Sequence, residues 1–182
     1  MHVSRIWYLA LGLASVAATA CSPQRALQKY SYLTEKTGSN APPADAEAAA
    51  PAAARDPQAR EVIRTAMSYK GTPYKYGGTS RKGMDCSGLV FTSFQSVGKT
   101  LPRSSSAMAQ AGKAIQVKQA QPGDLLFFAS NGGTRINHVG LVVSARRDRT
   151  EFIHATTKDG VRTDILQDGY WDKRFRKAVT VF

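Results

Sequence analysis

The sequence predicts an α+β domain, because two segments with helical spacing come first in the folded part of the chain and four β-rich segments follow them. Apolar residues recur every three or four positions in the first two segments. Glycine, asparagine, aspartate and basic residues separate the later four. We therefore expect a helical layer packed against a mainly antiparallel sheet.

The two predicted helices span residues 58–69 and 86–97. In the first, Val62 and Ala66 share one face, and a glycine and a proline soon follow its end. The second has an apolar stripe that includes Phe94, and a glycine ends it. Each helix therefore has one face suited to burial against a sheet.

The four predicted strands span residues 123–129, 138–144, 151–156 and 178–182. Side chains alternate along a strand, so Phe152 and His154 fall on one face of the sheet while Ile153 and Ala155 fall on the other. One histidine, His138, opens the second strand, and His154 lies within the third.

The first 20 residues have the composition of an export signal. A positive start with Arg5 leads into an apolar run over residues 6–16 and then into three small residues, 18–20. The apolar run is too short for a stable membrane span, which needs about 20 apolar residues. We expect this signal peptide, residues 1–20, to be removed.

Cys21 follows the small residues directly and resembles the cysteine of a bacterial lipobox, which is lipidated and becomes the first residue of the mature protein. Ala18 stands where a lipobox usually has leucine, and ordinary cleavage after Ala20 is the alternative. Ser22, in place of aspartate, resembles lipoproteins sorted to the outer membrane. The sequence thus predicts an outer membrane lipoprotein facing the periplasm, with a soluble periplasmic or secreted protein as the alternative.

Residues 21–57 are predicted to form a disordered tether. Residues 22–40 are polar, and residues 41–54 are a low-complexity stretch of alanine punctuated by proline. Such a segment buries too little apolar surface to offset the entropy lost on ordering. The folded domain is then expected over residues 58–182.

The net positive charge of the chain limits the classes of molecule that it is expected to bind. The chain carries a formal charge of +12, and residues 58–182 hold 20 Lys and Arg against 9 Asp and Glu, a net charge of +11. The basic residues form no recognisable nucleic-acid motif, and an exported protein seldom meets nucleic acid. We expect an anionic polymer of the cell wall as the partner and no nucleic acid, with a merely solubilising surface as the alternative.

Cys86 opens the second predicted helix, and its thiol has four interpretations: a core residue, half of a disulfide, a metal ligand or a nucleophile. If Cys21 carries lipid, Cys86 has no intramolecular disulfide partner. Asp85 is a favourable N-cap, which would place the thiol in the first helical turn. The N–H groups and the dipole there lower thiol pKa values and favour a developing oxyanion.

His138 and His154 are the two histidines of the folded domain, since His2 lies in the export signal. If both approach Cys86, the three residues provide a nucleophile, a base and a residue that orients the base. A zinc site built from the same three residues is chemically allowed. It lacks the closely spaced ligand pair of structural zinc sites, and we expect neither a metal nor a cofactor.

Seven short motifs follow one another along the folded domain: GTPYKYGG, DCSGLV, LPRSS, QPGDLLFF, HVGLVV, FIHA and YWDKRFRKA. Each is weak alone, but the collinear set resembles the NlpC/P60 peptidoglycan peptidases over about residues 66–182. The resemblance implies a papain-like fold with N-terminal helices packed on a mainly antiparallel sheet and the catalytic cysteine at the start of a helix. With its signal, lipobox and tether, the chain resembles the small outer-membrane murein endopeptidase lipoproteins.

The resemblance also implies roles for the residues that match. Cys86 would be the nucleophile, His138 the general base and then the acid, and His154 the polar third member of the set. Tyr74, upstream of the cysteine, would assist the oxyanion site or the substrate, with loop packing as the alternative.

Three further residues match positions near the substrate groove of the family. Asp85 and Ser87 would line the part that accepts the stem peptide, with a plain helix cap as the alternative for Asp85. Arg103 is a candidate for binding a substrate carboxylate, with a structural ion pair as the alternative.

The resemblance implies a monomeric cysteine peptidase that hydrolyses peptidoglycan stem peptides without a metal. The solitary layout favours the D-alanyl to diaminopimelate cross-link as the cleaved bond. Cleavage of the γ-D-glutamyl to diaminopimelate bond is the alternative, and a non-catalytic peptidoglycan-binding lipoprotein is a further one.

Overall fold

The structure is a computed structural model and describes residues 56–182. The predicted signal, Cys21 and the tether up to residue 55 lie outside the described residues. Between residues 56 and 182, no helix has the length and apolar character needed to cross a membrane.

The described helices are α1 (Pro57–Ser68), α2 (Cys86–Gln95), α3 (Ser105–Met108) and α4 (Gly169–Arg174). The strands are β1 (Thr79–Ser80), β2 (Gly83–Met84), β3 (Lys113–Ile115), β4 (Leu125–Phe128), β5 (His138–Arg146), β6 (Arg149–Thr156), β7 (Gly160–Ile165) and β8 (Phe175–Thr180). The two longest helices precede all strands of the main sheet, which confirms the α+β class.

Six strands form one antiparallel sheet in the order β3-β8-β4-β5-β6-β7, and β1 pairs with β2 in a separate hairpin. Helices α1 and α2 cover one face, where Val62 and Phe94 join a cluster with Ile153. A second cluster contains Phe152 and Trp171 of α4. Neighbouring residues of β6 thus join different clusters, as the predicted alternation requires.

The helix bounds differ slightly from the predicted ones. Helix α1 begins at Pro57, one residue earlier, because Asp56 accepts a hydrogen bond of 2.7 Å from the backbone N–H of Gln58 and proline suits the first helical position. Helix α2 ends at Gln95 and not at residue 97, because the chain turns there toward Gly98, which has a positive φ of 73°.

Two strands of the sheet were not predicted, and both lie at its edges. Strand β3 is exposed, and β7 is largely polar beyond its first two residues. An edge strand buries few side chains, so it lacks the apolar run by which the central strands are recognised.

Different residues lie at the two ends of the sheet. At one end, β5 begins at His138 opposite Phe128, close to the start of α2. At the other end, β4 begins at Leu125, which pairs with Val179 near the end of the chain. There Asp56 and Phe182 help to line a cavity of about 320 Å³. The functional residues described next gather at the His138 end.

Candidate active site

Cys86 is the first residue of α2, and Asp85 caps the helix as predicted. One carboxylate oxygen of Asp85 accepts a hydrogen bond of 2.6 Å from the N–H of Gly88, and the other accepts one of 2.7 Å from the N–H of Gly77. The backbone N–H groups of Val139, Ser87 and Cys86 are near enough to the sulfur to favour its thiolate form. The thiol therefore lies at the helix start, against the first residues of β5.

Cys86 is 8% exposed, and this burial raises the pKa of its thiol above the usual value. Hydrogen bonding from the N–H of Val139 favours the thiolate, but the nearby charge of Asp85 opposes it. The expectation from helix position alone, a lowered pKa, is corrected, because desolvation of the sulfur outweighs the N–H groups at the helix start. In the free protein Cys86 is a neutral thiol.

His138 and His154 form a direct contact, with 2.8 Å between Nε2 of His138 and Nδ1 of His154. On the far side of His154, its Nε2 lies 3.0 Å from Oδ2 of Asp164. Three side chains from β5, β6 and β7 thus form a continuous chain of polar contacts. Sequence reasoning predicted its first two members and missed the carboxylate.

Burial keeps both imidazoles neutral. It lowers the pKa of His138 to about 3, an effect that His154 strengthens and the charge of Asp164 opposes. Burial also lowers the pKa of His154, against the opposing hydrogen bond and charge of Asp164. Each ring at neutral pH therefore has one nitrogen that donates and one that accepts.

Asp164 stays ionised although partial burial acts to raise its pKa. Hydrogen bonds from His154 and Trp171 outweigh that effect and lower the pKa to about 2. The indole N–H of Trp171 donates to Oδ2 at 3.0 Å, and Arg162 donates to Oδ1. The carboxylate is thus held by two fixed donors besides the histidine.

Aromatic rings enclose the two histidines. The Trp171 ring lies edge-on to His154, with centroids 4.8 Å apart, and stacks on His138. Phe128 and Phe152 complete the enclosure, with ring centroids 5.1 Å apart. These rings exclude water from the imidazoles, which explains why both are neutral.

Arg103 binds Asp85 through two hydrogen bonds, each 2.9 Å long. It also donates to the hydroxyl of Ser87 at 2.8 Å and to the carbonyl oxygen of Gly78 at 3.2 Å. Burial acts to raise the pKa of Asp85, but these donors and the N–H of Gly88 lower it. The geometry matches the ion-pair alternative for Arg103, and it joins three segments around the start of α2.

Two clefts meet at Cys86. The histidine-side cleft, about 620 Å³, is lined by Cys86 and His138 and by side chains of β6, β7 and α4. The arginine-side cleft, about 650 Å³, is lined by Cys86, Asp85, Ser87 and Arg103 among others. The sulfur therefore lies at the centre of a groove that can hold an extended chain on both sides.

Tyr74 lines both clefts beside Cys86. Burial raises the pKa of Tyr74, and the nearby charge of Asp85 adds to the effect, so its phenol keeps its proton. A protonated phenol at this position is a hydrogen-bond donor close to the sulfur. Its placement suits the predicted role at the oxyanion site, which stays a prediction.

Six of the seven predicted site residues of the folded domain line the two clefts, and the seventh, His154, is fully buried and contacts His138. The lipidation residue Cys21 lies outside the described residues. Asp164 and Trp171 were missed. The turn sequence KDG at residues 158–160 could have revealed Asp164, because it indicates a hairpin. In that hairpin His154 pairs with Arg162, and Asp164, two residues further along, lies on the same face of the sheet as Arg162. Between residues 56 and 182, no group of three or more His, Cys, Asp or Glu is arranged to hold a metal ion.

The fold and the groove together define an α+β protein with a cysteine–histidine site of the kind used for nucleophilic catalysis. The chain belongs to the NlpC/P60 family, which its sequence matches over residues 71–180. The family predicted from the seven motifs is thereby confirmed.

Two relatives from Escherichia coli (strain K12) illustrate the similarity. The chain is 39% identical to the probable endopeptidase NlpC over 113 residues, which cover 62% of this chain and 71% of that protein. It is 35% identical over 111 residues to MepS, named a murein DD-endopeptidase and murein LD-carboxypeptidase, with 60% and 56% covered. The match therefore spans little more than half of the second relative.

A solved structure supports the fold. The crystal structure of an NlpC/P60 family protein from Bacillus cereus ATCC 10987 aligns with a TM-score of 0.60 at 32% sequence identity. The alignment covers 67% of this chain and 39% of that one. The predicted NlpC/P60 fold is thus confirmed by sequence and by structure.

Proposed function

We propose that this protein is a cysteine peptidase that hydrolyses stem peptides of peptidoglycan, with Cys86 as the nucleophile. One observation carries the proposal: a thiol at a helix start and an imidazole held by a second histidine line the same groove. The endopeptidase names of the relatives support the reaction, and the murein in the name of MepS supports the substrate.

The first half of the reaction forms a thioester. Because Cys86 and His138 both start neutral, the thiol proton passes to the imidazole as the sulfur attacks the carbonyl carbon. The C=O double bond becomes an oxyanion, which the N–H groups at the start of α2 and the Tyr74 phenol would stabilise. One such donor is worth about 3 kcal/mol in known acyl-transfer enzymes.

The second half restores the enzyme. The His138 imidazolium gives its proton to the leaving amine as the C–N bond breaks, and neutral His138 then takes a proton from water. The resulting hydroxide attacks the thioester, and as the C–S bond breaks the sulfur takes the proton back from His138, which releases the carboxylic acid and restores the thiol. Every proton removed by His138 is thus returned.

The proposed substrate is an anionic polymer, which suits the charge of the domain. Residues 58–182 carry a net charge of +11. Peptidoglycan stem peptides carry free carboxylates that such a surface attracts. Within this substrate we propose the D-alanyl to diaminopimelate cross-link as the cleaved bond, in line with the DD-endopeptidase name of MepS.

Mass spectrometry of defined muropeptides tests the proposal. The purified protein should convert a cross-linked dimer into two monomers, each intact up to its D-alanine. Release of an L-alanyl-γ-D-glutamyl dipeptide would instead indicate the γ-D-glutamyl bond. Cys86→Ala should leave the substrate intact, while the matched variant Cys21→Ser should cleave it. An intact substrate with the unaltered protein would contradict a peptidase and favour a binding role.

We also propose that Cys21 is lipidated and that the protein is anchored in the outer membrane, facing the periplasm. The small residues before Cys21 and the serine after it support this location. Mass spectrometry of the N-terminal peptide should show a diacylglyceryl group on Cys21. Release of Cys21→Ser into the soluble fraction is the expected consequence.

A further inference from the structure

We propose that Asp164 is a positioning residue that determines which nitrogen of His138 carries the proton, and that it acts through His154. The inference rests on the proposed function, because it concerns His138 as the base for Cys86. The inference goes beyond the three predicted residues Cys86, His138 and His154. It assigns the choice of the protonated nitrogen to a carboxylate on another strand, β7.

The positions of the protons follow from the hydrogen bonds when these are considered in order, from Asp164 to His154 and then to His138. An ionised carboxylate only accepts hydrogen bonds, so Nε2 of His154 must carry the proton across its 3.0 Å contact with Asp164. Nδ1 of the neutral His154 is then an acceptor. Nε2 of His138, 2.8 Å away, must therefore donate to it.

This arrangement leaves Nδ1 of His138 as the unprotonated nitrogen. Nε2 is occupied by His154, so Nδ1 is the nitrogen free to accept a proton from Cys86 within the shared cleft. The reverse arrangement would place a proton on Nδ1, and the ring would no longer be a base for the thiol. A neutral His154 alone permits both arrangements, and only the carboxylate selects between them.

Asp164 is fixed in the orientation that this selection needs. The indole N–H of Trp171 donates to the same oxygen that faces His154, at 3.0 Å, and Arg162 occupies the other oxygen. The side chain of Asp164 is 17% exposed, so its charge is only partly screened by water. The same charge also favours the imidazolium that forms on His138 during the reaction.

The test uses Asp164→Asn, which keeps the shape but replaces one acceptor oxygen by a donor. His154 and Trp171 donate to one oxygen of Asp164 and Arg162 to the other, so in the variant these three donors compete for one acceptor oxygen. We expect kcat to fall at least about 100-fold with KM within about threefold, as for the loss of an orienting carboxylate in a Ser-His-Asp triad.

A spectroscopic measurement reports the proton positions directly. Nitrogen-15 shifts of the imidazoles distinguish a protonated nitrogen from a free one, and His2→Gln leaves only His138 and His154 in the protein. We expect the Nε2–H form on both rings at neutral pH. In Asp164→Asn, a population of the Nδ1–H form should appear on His138.

Asp159→Asn is the matched control. Asp159 also accepts a hydrogen bond from Arg162, at 3.0 Å, but it forms no hydrogen bond with His138 or His154. Because Asp159 itself lines the histidine-side cleft, this control is judged by the proton positions, and both Nε2–H forms should be unchanged. A loss in both variants would assign the effect to Arg162 and overturn the role of Asp164.

The outcomes separate this inference from the proposed function. Nε2–H forms with no cleavage of muropeptides would contradict the peptidase and leave the proton arrangement standing. An Nδ1–H form on His138 in the unaltered protein would overturn the inference, even if Asp164→Asn failed to fold. Unchanged kcat and unchanged proton positions in Asp164→Asn would overturn it as well.

Discussion

The indole ring of Trp171 lies nearly parallel to the imidazole of His138, with ring centroids 5.2 Å apart and an angle of 17° between the planes. Trp171 is itself buried, at 8% exposure, and its N–H binds Asp164. One side chain thus shields the proposed base, presents an electron-rich face to its charged form and fixes the carboxylate behind His154.

The first prediction uses the fluorescence of this indole. Trp7→Phe leaves Trp171 as the only tryptophan, and a protonated imidazole stacked on an indole quenches its emission. Because burial lowers the pKa of His138 to about 3, emission should stay constant between about pH 5 and about pH 8. Quenching with a midpoint near the usual histidine pKa would contradict a neutral, buried His138.

The second prediction concerns the reactivity of Cys86 in the free protein. Burial raises the pKa of the thiol, so alkylation by iodoacetamide in a Cys21→Ser background should be slow at neutral pH. The rate should rise with pH beyond the ordinary thiol value of 9.0. A fast rate that is level between about pH 5 and about pH 8 would indicate a thiolate–imidazolium pair instead.

The third prediction concerns the ion pair of Arg103 and Asp85. Arg103→Ala leaves a carboxylate that is 9% exposed without its cation, and we expect the free energy of unfolding to fall by about 2 kcal/mol. This is less than the loss for a fully buried pair, because Arg103 is 37% exposed. Urea denaturation at neutral pH measures the difference.

Arg64→Ala is the control, since Arg64 pairs with Glu61 on the exposed face of α1 and should change the free energy of unfolding by at most about 0.5 kcal/mol. The Arg103 effect should also depend on pH. The pKa of Asp85 is lower in the folded protein than its usual 3.8, so the stabilisation is present above that value and is lost as the pH falls below it. A difference that persists in strong acid would exclude this ion pair as its cause.

The fourth prediction concerns the contact between the loop of Tyr74 and helix α2. A Cβ added at Gly88 would clash with the carbonyl oxygen of Gly78, so Gly88→Ala must displace that loop. We expect a loss of about 1–3 kcal/mol in the free energy of unfolding, together with a loss of muropeptide cleavage.

Gly169→Ala is the matched control for this change. Gly169 opens α4, and a Cβ there meets no atom within 4 Å. Alanine is the better helix former, so the control should be neutral or slightly stabilising. Equal losses of stability in both variants would exclude the loop contact as the cause.

The residues at the centre of the site could be predicted from their immediate neighbours in the sequence. Asp85 has the side chain of a helix cap, and Cys86 follows it, so the helix start and its thiol could be read from adjacent residues. His138 and His154 lie within apolar β-rich runs, which located them on strands. Their roles in catalysis stay predictions.

Features that depend on distant pairing could not be predicted in the same way. Asp164 reaches His154 only through the register of β6 with β7, and β7 is too polar to be recognised as a strand by itself. The pKa of Cys86 likewise depends on burial against β5, which no residue next to the cysteine reveals. Position on the helix gave the wrong direction because it omits that desolvation.

The cavity shared by Asp56 and Phe182 has a practical consequence. It lies at the end of the sheet where β4 begins, whereas the groove around Cys86 lies at the end where β5 begins. A bead, a fusion partner or an anchor attached beside Asp56 or Phe182 would therefore leave the groove open. A domain immobilised through either of these two positions should therefore reach an insoluble cell-wall sacculus equally well.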